Sequence, residues 1–306
     1  MANQLAGKNI AVTGAGNGIG KAVALAAAAE GANVVVADYG VAMDGSNPSS
    51  DVADATVAEI QAIGTGAVAV AGDVADPVVG QQIIDAACDT WGTIDGVVCV
   101  AGNLRERMLF NMSPEEWDAV IAVHLNGHFN VFRPAFAKMR KQESGGALVG
   151  FTSGAFMGST AQANYAAAKG GIISLTKSAA LTAASIALRG GPAINANCIA
   201  PVARTRMSEN VPFDFETGDP EDIAPMVLYL LSEAGRSVNG QIYTCVGPRI
   251  SVWSQPQEVR SMQAPEGRWT IDQIAETLPD SVGVEVLPFI ADLERRAAEA
   301  AAAEEG

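Results

Sequence analysis

The chain of 306 residues is short of positive charge, with 19 Lys and Arg residues against 34 Asp and Glu residues and a formal net charge of −15. Such a protein is a poor binder of nucleic acids and anionic membranes, because both attract basic surfaces. No apolar run approaches the roughly 18 residues of a membrane span. The segment 1–4 also lacks the basic start of a secretory signal, so we expect a cytoplasmic protein.

Cysteine and histidine are also scarce. The four cysteines, Cys88, Cys99, Cys198 and Cys245, show no CxxC spacing and are expected to be reduced core thiols. The two histidines, His124 and His128, are spaced as paired metal ligands would be, but the sequence holds no third histidine. We therefore expect no metal site, and we interpret His128 as a packing or interface residue.

Apolar residues are plentiful, at 49% of the chain, and their pattern alternates between buried strands and helices. Asn9–Thr13 and Asn33–Asp38 are typical of strands covered on both faces. Pro77 is predicted to begin a helix, and Ser113 with Glu116 predicts a capping box at the start of a long helix. The prediction is a single α/β domain, a doubly wound, Rossmann-like parallel sheet of about seven strands over residues 1–249. Residues 250–306 are expected to form a C-terminal extension whose end is a frayed helix or a disordered tail.

A glycine-rich turn follows the first predicted strand. The pattern TGxxxGxG is carried by Gly14, Gly18 and Gly20, with Asn17 and Ile19 between them. Between a strand and a helix, such a turn lets backbone N–H groups approach a pyrophosphate at the positive end of the helix. The alternative is a tight turn that binds no ligand.

Asp38 ends the second predicted strand, eighteen residues after Gly20. A carboxylate there can accept hydrogen bonds from an adenosine ribose and would repel the 2′-phosphate of NADP. Residues 39–50 contain no Arg or Lys that would bind that phosphate. The sequence therefore predicts NAD as cofactor, unless Asp38 merely caps the loop.

Tyr165 and Lys169 lie one turn apart on a predicted helix, so both face the same side. A phenol is a poor base at pH 7, but a nearby ammonium group and an oxidised nicotinamide both favour its ionised form. Tyr165 would then exchange a proton with an alcohol while hydride passes to NAD. Ser153, twelve residues earlier, is placed to bind and polarise the substrate oxygen.

Together these residues resemble the short-chain dehydrogenases/reductases over about residues 5–249. The resemblance implies that Ser153, Tyr165 and Lys169 are the catalytic triad. The spacing from serine to tyrosine is one residue shorter than usual, which leaves Thr152 and Ser159 as weaker candidates. The family resemblance also implies a homotetramer built through the two long helices. Further cofactor contacts that the resemblance implies are Asp73, Val74, Ala101, Gly102, Pro201, Val202 and Thr205.

His124 stands where the family usually has an asparagine, and this resembles the branch with the (3R)-hydroxyacyl-CoA and 17β-hydroxysteroid dehydrogenase unit of peroxisomal multifunctional enzyme type 2. The family position implies that His124 supports a proton relay from the lysine, largely through its backbone carbonyl. The expected substrate is a 3-hydroxyacyl-CoA or a hydroxysteroid. The alternatives are another apolar alcohol, such as a terpene alcohol, or a non-catalytic NAD-binding regulator.

The loop after Pro201 contains Met207, Phe213 and Phe215, which suggests either an apolar substrate body or a lid that packs on itself. Four arginines near the expected mouth either meet a CoA phosphate or are paired and solvated charges. They are Arg105, Arg107, Arg204 and Arg206. Trp253 and Trp269 either cap the pocket or line a subunit interface.

Overall fold

The computed structural model describes residues 3–41, 47–204, 217–283 and 287–304. It has one sheet in the strand order β3-β2-β1-β4-β5-β6-β7-β8, in which the first seven strands are parallel. The predicted fold class is confirmed. The strands are β1 (Asn9–Thr13), β2 (Asn33–Asp38), β3 (Ala67–Ala71), β4 (Gly96–Cys99), β5 (Gly146–Phe151), β6 (Ile194–Pro201), β7 (Ile242–Val246) and β8 (Arg249–Val252).

The chain reverses its direction of winding between β1 and β4, which are neighbours in the sheet. Thr13 pairs with Cys99, and Cys99 pairs with Gly150, so the carboxyl ends of β1, β4 and β5 meet at one edge. Ligands of open α/β sheets bind in the crevice at such a switch point. The fold therefore locates the candidate site before any catalytic side chain is considered.

Helices cover both faces of the sheet. In order along the described chain, the helices of the first unit are α1 (Gly18–Ala29), α2 (Asp51–Ile63), α3 (Pro77–Trp91), α4 (Pro114–Ile121), α5 (Gly127–Met139), α6 (Ala163–Ala187) and α7 (Ala224–Leu231), and α8 (Ile271–Thr277) and α9 (Pro288–Glu304) follow in the C-terminal unit. One core cluster joins the sheet to α1, α2 and α7, and another joins it to α3, α5 and α6. The sheet is thus buried on both sides, which explains its continuous apolar strands.

The long helix predicted from Ser113 is interrupted. Its capping box is present, since Ser113 Oγ accepts from the Glu116 N–H and Glu116 Oε2 accepts from the Ser113 N–H. The segment Ala122–Asn126 is a π-helical turn that separates α4 from α5. A π turn adds one residue to the helix and is frequent at functional sites. His124 lies in the middle of it.

The sheet has an eighth strand that the sequence analysis assigned to the C-terminal extension. β8 pairs with β7 in the antiparallel sense, with Tyr243 opposite Val252. The chain forms two compact units, Met1–Trp253 and Ser254–Gly306, so β8 belongs to the first. In the second unit α8 begins with a capping box between Thr270 and Gln273, and α9 extends through the predicted tail to Glu304.

Among the described residues, α6 has the length and apolar composition of a membrane-crossing helix. Its inner face instead packs on the sheet, where Ile172 and Ala183 are fully buried. We therefore interpret α6 as a core helix, and it is the helix that carries Tyr165 and Lys169.

Candidate active site

The glycine turn between β1 and α1 packs closely on itself and on the residues that follow β4. Gly14 has a φ of +65°, and a Cβ there would meet the Ala101 Cα at 2.9 Å. A Cβ on Gly20 would overlap the Gly14 carbonyl. At the start of α1, Asn17 makes no side-chain capping bond. The first N–H groups of α1, from Gly18 and Ile19 onward, are therefore available to an anion, as a pyrophosphate site requires.

Asp38 closes this turn from the end of β2. Its Oδ2 accepts a hydrogen bond of 2.8 Å from the Gly16 N–H, and its Oδ1 accepts one of 2.7 Å from the Gly40 N–H. A carboxylate has about four lone-pair sites, so each oxygen can still accept one more donor. The geometry leaves Asp38 able to bind a diol next to the glycine turn.

The other expected cofactor contacts follow the ends of β3, β4 and β6. Asp73 accepts from the Ala75 N–H, the Val74 carbonyl accepts from Asn130, and the Ala101 N–H donates to Thr13 Oγ1. Pro201 ends β6, and the Val202 N–H donates to the Cys245 carbonyl. Thr205, and the loop residues Arg206, Met207, Phe213 and Phe215, lie outside the described part of the chain.

Tyr165, Ser153 and Lys169 come together beyond the ends of β4 and β5. The Ser153 hydroxyl lies near the Tyr165 hydroxyl, close enough that hydrogen bonding between them lowers the pKa of the phenol, and Ser153 Oγ also accepts a 3.3 Å hydrogen bond from the Ala155 N–H. Lys169 Nζ lies 5.2 Å from the centre of the Tyr165 ring and donates a 2.7 Å hydrogen bond to the Phe151 carbonyl. The arrangement places a phenol, an alcohol and an amine within one small volume.

Burial controls the charge of this group. Desolvation raises the pKa of Tyr165 to about 12, although the hydrogen bond with Ser153 lowers it, and part of the Tyr165 surface stays open to solvent. Desolvation lowers the pKa of Lys169 to about 7. Without ligands, therefore, the phenol is protonated near neutral pH and the amine is close to losing its charge.

The two weaker candidates for the serine role have other partners. Thr152 Oγ1 is buried and donates a 2.9 Å hydrogen bond to the Lys169 carbonyl. Ser159 Oγ donates to Gln162 Oε1 at the surface. Ser153 is the hydroxyl that the structure places against Tyr165.

His124 packs edge-on against the Tyr165 ring, with ring centres 5.1 Å apart. Its Nε2 lies 2.8 Å from the Asn103 carbonyl, and its buried Nδ1 has no partner among the described residues. Burial and the neighbouring Lys169 lower the pKa of His124 well below its usual value, so the ring is neutral. A Cβ on Gly102 would overlap this ring, which explains the glycine there.

Sequence reasoning did not identify several residues that hold the site together. Thr13 Oγ1 accepts from the Val100 and Ala101 N–H groups, and Asn103 holds His124. Asn164 is fully buried, and its amide donates to the Arg105 and Glu116 carbonyls. These residues could have been predicted from one feature of the sequence: each is polar and lies next to a motif residue in a segment predicted to be buried.

Comparison with known proteins agrees with this geometry. The profile of a protein family described as "short chain dehydrogenase" matches residues 8–214. The chain belongs to the short-chain dehydrogenase family. Members are oxidoreductases, and their Rossmann-like fold implies a nicotinamide cofactor, NAD or NADP.

Two named proteins and one solved structure are similar to most of the chain. It is 41% identical over 292 residues to hydroxyacyl-CoA dehydrogenase ChsB1 of Mycobacterium tuberculosis, covering 90% of this chain and 89% of that protein. It is 42% identical over 231 residues to peroxisomal multifunctional enzyme type 2 of Mus musculus, covering 75% of this chain and 30% of that protein. The crystal structure of a short chain dehydrogenase from Mycobacterium avium matches with a TM-score of 0.78 and 39% identity, over 91% of this chain and 95% of that one.

The residues present fit a nicotinamide dinucleotide. Gly14 and Gly20 let the backbone of the turn pack closely without side chains, and the uncapped N-terminus of α1 leaves its first N–H groups for a pyrophosphate. Asp38 adjoins the turn through Gly16 and has acceptor sites left for a ribose diol, and the Tyr165 group lies beyond the ends of β4 and β5. The short-chain dehydrogenase site thus offers a place for each part of the cofactor.

Gly102→Ala is expected to lower the free energy of unfolding by about 1–3 kcal/mol, because the new methyl group collides with the buried His124 ring. The matched control is Gly170→Ala in α6, where a Cβ meets nothing within 4 Å. The control is expected to be stabilised by about 0.5–1 kcal/mol, because glycine weakens a helix interior. Urea unfolding followed by circular dichroism measures both. Equal effects in the two variants would contradict the close packing of Gly102 on His124.

Proposed function

We propose that this short-chain dehydrogenase uses NAD to oxidise the secondary alcohol of a 3-hydroxyacyl-CoA, or to reduce the corresponding ketone. The observation that carries the proposal is the contact of Tyr165 with Ser153 and Lys169 at the crevice edge beside the glycine turn. The relative ChsB1, named a hydroxyacyl-CoA dehydrogenase and aligned over nearly the whole chain, supports the substrate class.

When bound, the nicotinamide ring supplies the hydride acceptor in the oxidation direction. Tyr165 Oη accepts the proton of the substrate hydroxyl, and it returns this proton to the carbonyl oxygen in the reverse direction. Ser153 Oγ donates a hydrogen bond to the same substrate oxygen and holds it against Tyr165. A proton at Tyr165 Oη and a hydrogen bond from Ser153 thus act on one reacting atom.

Lys169 makes the phenolate form of Tyr165 accessible. A unit charge about 5 Å from a phenolate is worth roughly 3 kcal/mol at an effective dielectric of about 20. That interaction lowers a pKa by roughly two. Because burial, net of the opposing hydrogen bond with Ser153, raises the pKa of Tyr165 to about 12, the lysine would need help from the cationic cofactor ring to bring this pKa towards neutrality.

Asp38 supports NAD as the cofactor. Its two oxygens are fixed by the Gly16 and Gly40 N–H groups, so the negative charge stays at the end of β2. A 2′-phosphate in contact with this carboxylate would be repelled, whereas a ribose diol would donate to it. The absence of Arg and Lys from residues 39–50 favours the same cofactor.

An aromatic pair next to Ser153 supports an apolar substrate body. Phe156 follows Ser153 in a 3₁₀ turn and packs on Trp253, with ring centres 4.7 Å apart. Two of the arginines near the mouth already have acidic partners, since Arg107 pairs with Glu116 at 2.7 Å and Arg204 lies 3.6 Å from Asp219. Apolar contact with the acyl chain is therefore the proposed source of affinity.

The proposal is tested by incubating the purified protein and NAD+ with 3-hydroxyacyl-CoAs, hydroxysteroids and terpene alcohols. We expect NADH formation to be fastest with a 3-hydroxyacyl-CoA. Tyr165→Phe is expected to lower kcat by roughly 10²–10⁴-fold, because the proton acceptor is lost, while NAD+ binding is retained. Faster turnover of a steroid or terpene alcohol would mean that this alcohol, and not a 3-hydroxyacyl-CoA, is the preferred substrate. NAD+ binding with no turnover of any alcohol would favour a regulator.

Asp38→Ala is expected to raise the ratio of kcat/KM with NADP+ to kcat/KM with NAD+, because a charge that repels the 2′-phosphate is removed. Steady-state kinetics with both cofactors measure this ratio. Asp89→Ala on the exposed side of α3 removes the same charge elsewhere and serves as the control. If the two variants change the ratio equally, the net charge of the chain and not Asp38 sets the preference.

We also propose that copies of the chain assemble into a homotetramer through α5 and α6. The support is apolar exposure on these helices, where Phe129 is 49% and Leu181 is 74% exposed. Sedimentation equilibrium is expected to show a tetramer, and Phe129→Glu with Leu181→Glu is expected to dissociate it. Ile63→Glu, at the end of α2 and 46% exposed, is the control that should leave the assembly intact. A monomeric wild-type protein would refute the proposal.

A further inference from the structure

His128 is a buried histidine that the proposed reaction does not use. It lies in the first turn of α5, it is 1% exposed, and both of its ring nitrogens have partners. Nδ1 lies 2.6 Å from the His124 carbonyl oxygen, and Nε2 lies 3.1 Å from the Phe151 nitrogen. A histidine that only filled space in the core would not need both contacts.

The partners determine how the ring is protonated. A carbonyl oxygen only accepts, so Nδ1 of His128 must carry the hydrogen that the His124 carbonyl receives. In the neutral ring Nε2 is then an acceptor, which matches the Phe151 N–H that points at it. Burial and the charge of Lys169 lower the pKa of His128 to about 3, against smaller contributions from the His124 and Cys99 carbonyls. The neutral ring with hydrogen on Nδ1 is therefore the form present at physiological pH.

One contact of His128 fixes the residue that anchors Lys169. Pairing between β4 and β5 ends at Cys99 and Gly150, and Phe151 extends one residue further. Nε2 of His128 accepts from the Phe151 N–H at this end of the strand. The carbonyl of the same residue accepts from Lys169 Nζ at 2.7 Å. The carbonyl that binds the amine thus belongs to the peptide unit next to the one that His128 binds, and the two units are joined at the Phe151 Cα.

The other contact fixes the π turn. The His124 carbonyl accepts from the Gly127 N–H and from His128 Nδ1, so both of its lone pairs are used within its own helix. The side chain of His124 packs on the Tyr165 ring. A single imidazole therefore binds the N–H of Phe151, whose carbonyl anchors Lys169, and the carbonyl of His124, whose side chain packs on Tyr165.

We propose that His128 is a positioning residue that joins the π turn to the end of β5 and so holds Lys169 and Tyr165 in reactive alignment. The inference rests on the proposed dehydrogenase reaction, for which it adds a residue that acts only through its neighbours. Misplacement of reacting groups by about 1 Å can cost roughly 10²-fold in rate. We expect the loss to appear in kcat, because His128 acts through the main chain that places the reacting groups.

The experiment uses three variants that separate the two contacts. His128→Leu removes both, His128→Gln returns an acceptor near the Nε2 position, and His128→Asn returns a donor near the Nδ1 position. We expect kcat for the preferred 3-hydroxyacyl-CoA to fall roughly 10- to 100-fold in His128→Leu, with KM values for NAD+ and substrate unchanged. His128→Gln and His128→Asn are each expected to recover part of the loss.

Phe132→Leu is the matched control, since Phe132 packs on the His128 ring at 5.8 Å and makes no polar contact with it. It is expected to lower the unfolding temperature but to leave kcat unchanged. A wild-type kcat in His128→Leu would overturn the proposal. So would equal losses in the Leu, Gln and Asn variants, because these would show that only ring packing matters.

A second measurement decides the proposal without any substrate. The tyrosinate absorbance of Tyr165 is obtained with NAD+ bound, as the difference between each protein and its Tyr165→Phe counterpart. We expect the pKa of Tyr165 to be higher in His128→Leu than in the wild type, because Lys169 is less well held, and intermediate in His128→Gln. An unchanged pKa in His128→Leu would refute the role of His128. If no alcohol is turned over, the proposed substrate fails while this result still stands.

Discussion

The hydrogen bond from Lys169 Nζ to the Phe151 carbonyl is the contact on which the site depends. It fastens a fully buried amine of α6 to the last residue of β5, and thereby ties the catalytic helix to the middle of the sheet. The Thr152 hydroxyl adds a second tie in the opposite direction, to the Lys169 carbonyl. The amine has lost most of its hydration, so its charge is sensitive to whatever binds beside it.

This environment gives the site an unusual charge balance. Lys169, His124 and His128 are three basic groups in one buried region, and burial lowers the pKa of each. No carboxylate contributes to these pKa shifts, so no carboxylate offsets the cost of burying a positive charge there. The same burial keeps Tyr165 protonated. A bound cofactor therefore changes the protonation of a region that is close to neutral before it arrives.

Much of this architecture could be predicted from the sequence because it rests on local signals. Continuous apolar runs indicated the parallel strands, the helix predicted to begin at Pro77 is α3, and the predicted Ser113 capping box is present. The π turn could not be predicted, since its residues suit an α-helix equally well and tertiary contacts decide the extra residue. β8 was assigned to the extension because four residues with weak alternation carry little signal.

The candidate site shows the same division. The motifs indicated Tyr165 and Lys169 through their spacing of one helical turn, and Ser153 through its place at the end of a predicted strand twelve residues before Tyr165. The partners of His128 are not encoded by spacing, because one is a carbonyl of the preceding turn and the other an N–H on a strand distant in sequence. Assigning His128 to packing was reasonable from its apolar surroundings, but only the folded chain shows that both nitrogens are used.

The additional residue of the π turn also affects how the neighbouring helices meet the rest of the protein. One residue corresponds to about 100° of rotation in an α-helix. The side chains of α5 therefore point in directions rotated from those that a straight continuation of α4 would give. α4 packs against α6, whereas α5 packs against α3. A single inserted residue thus lets one stretch of chain serve two partners, one on the helix that performs the chemistry and one in the outer layer of the domain.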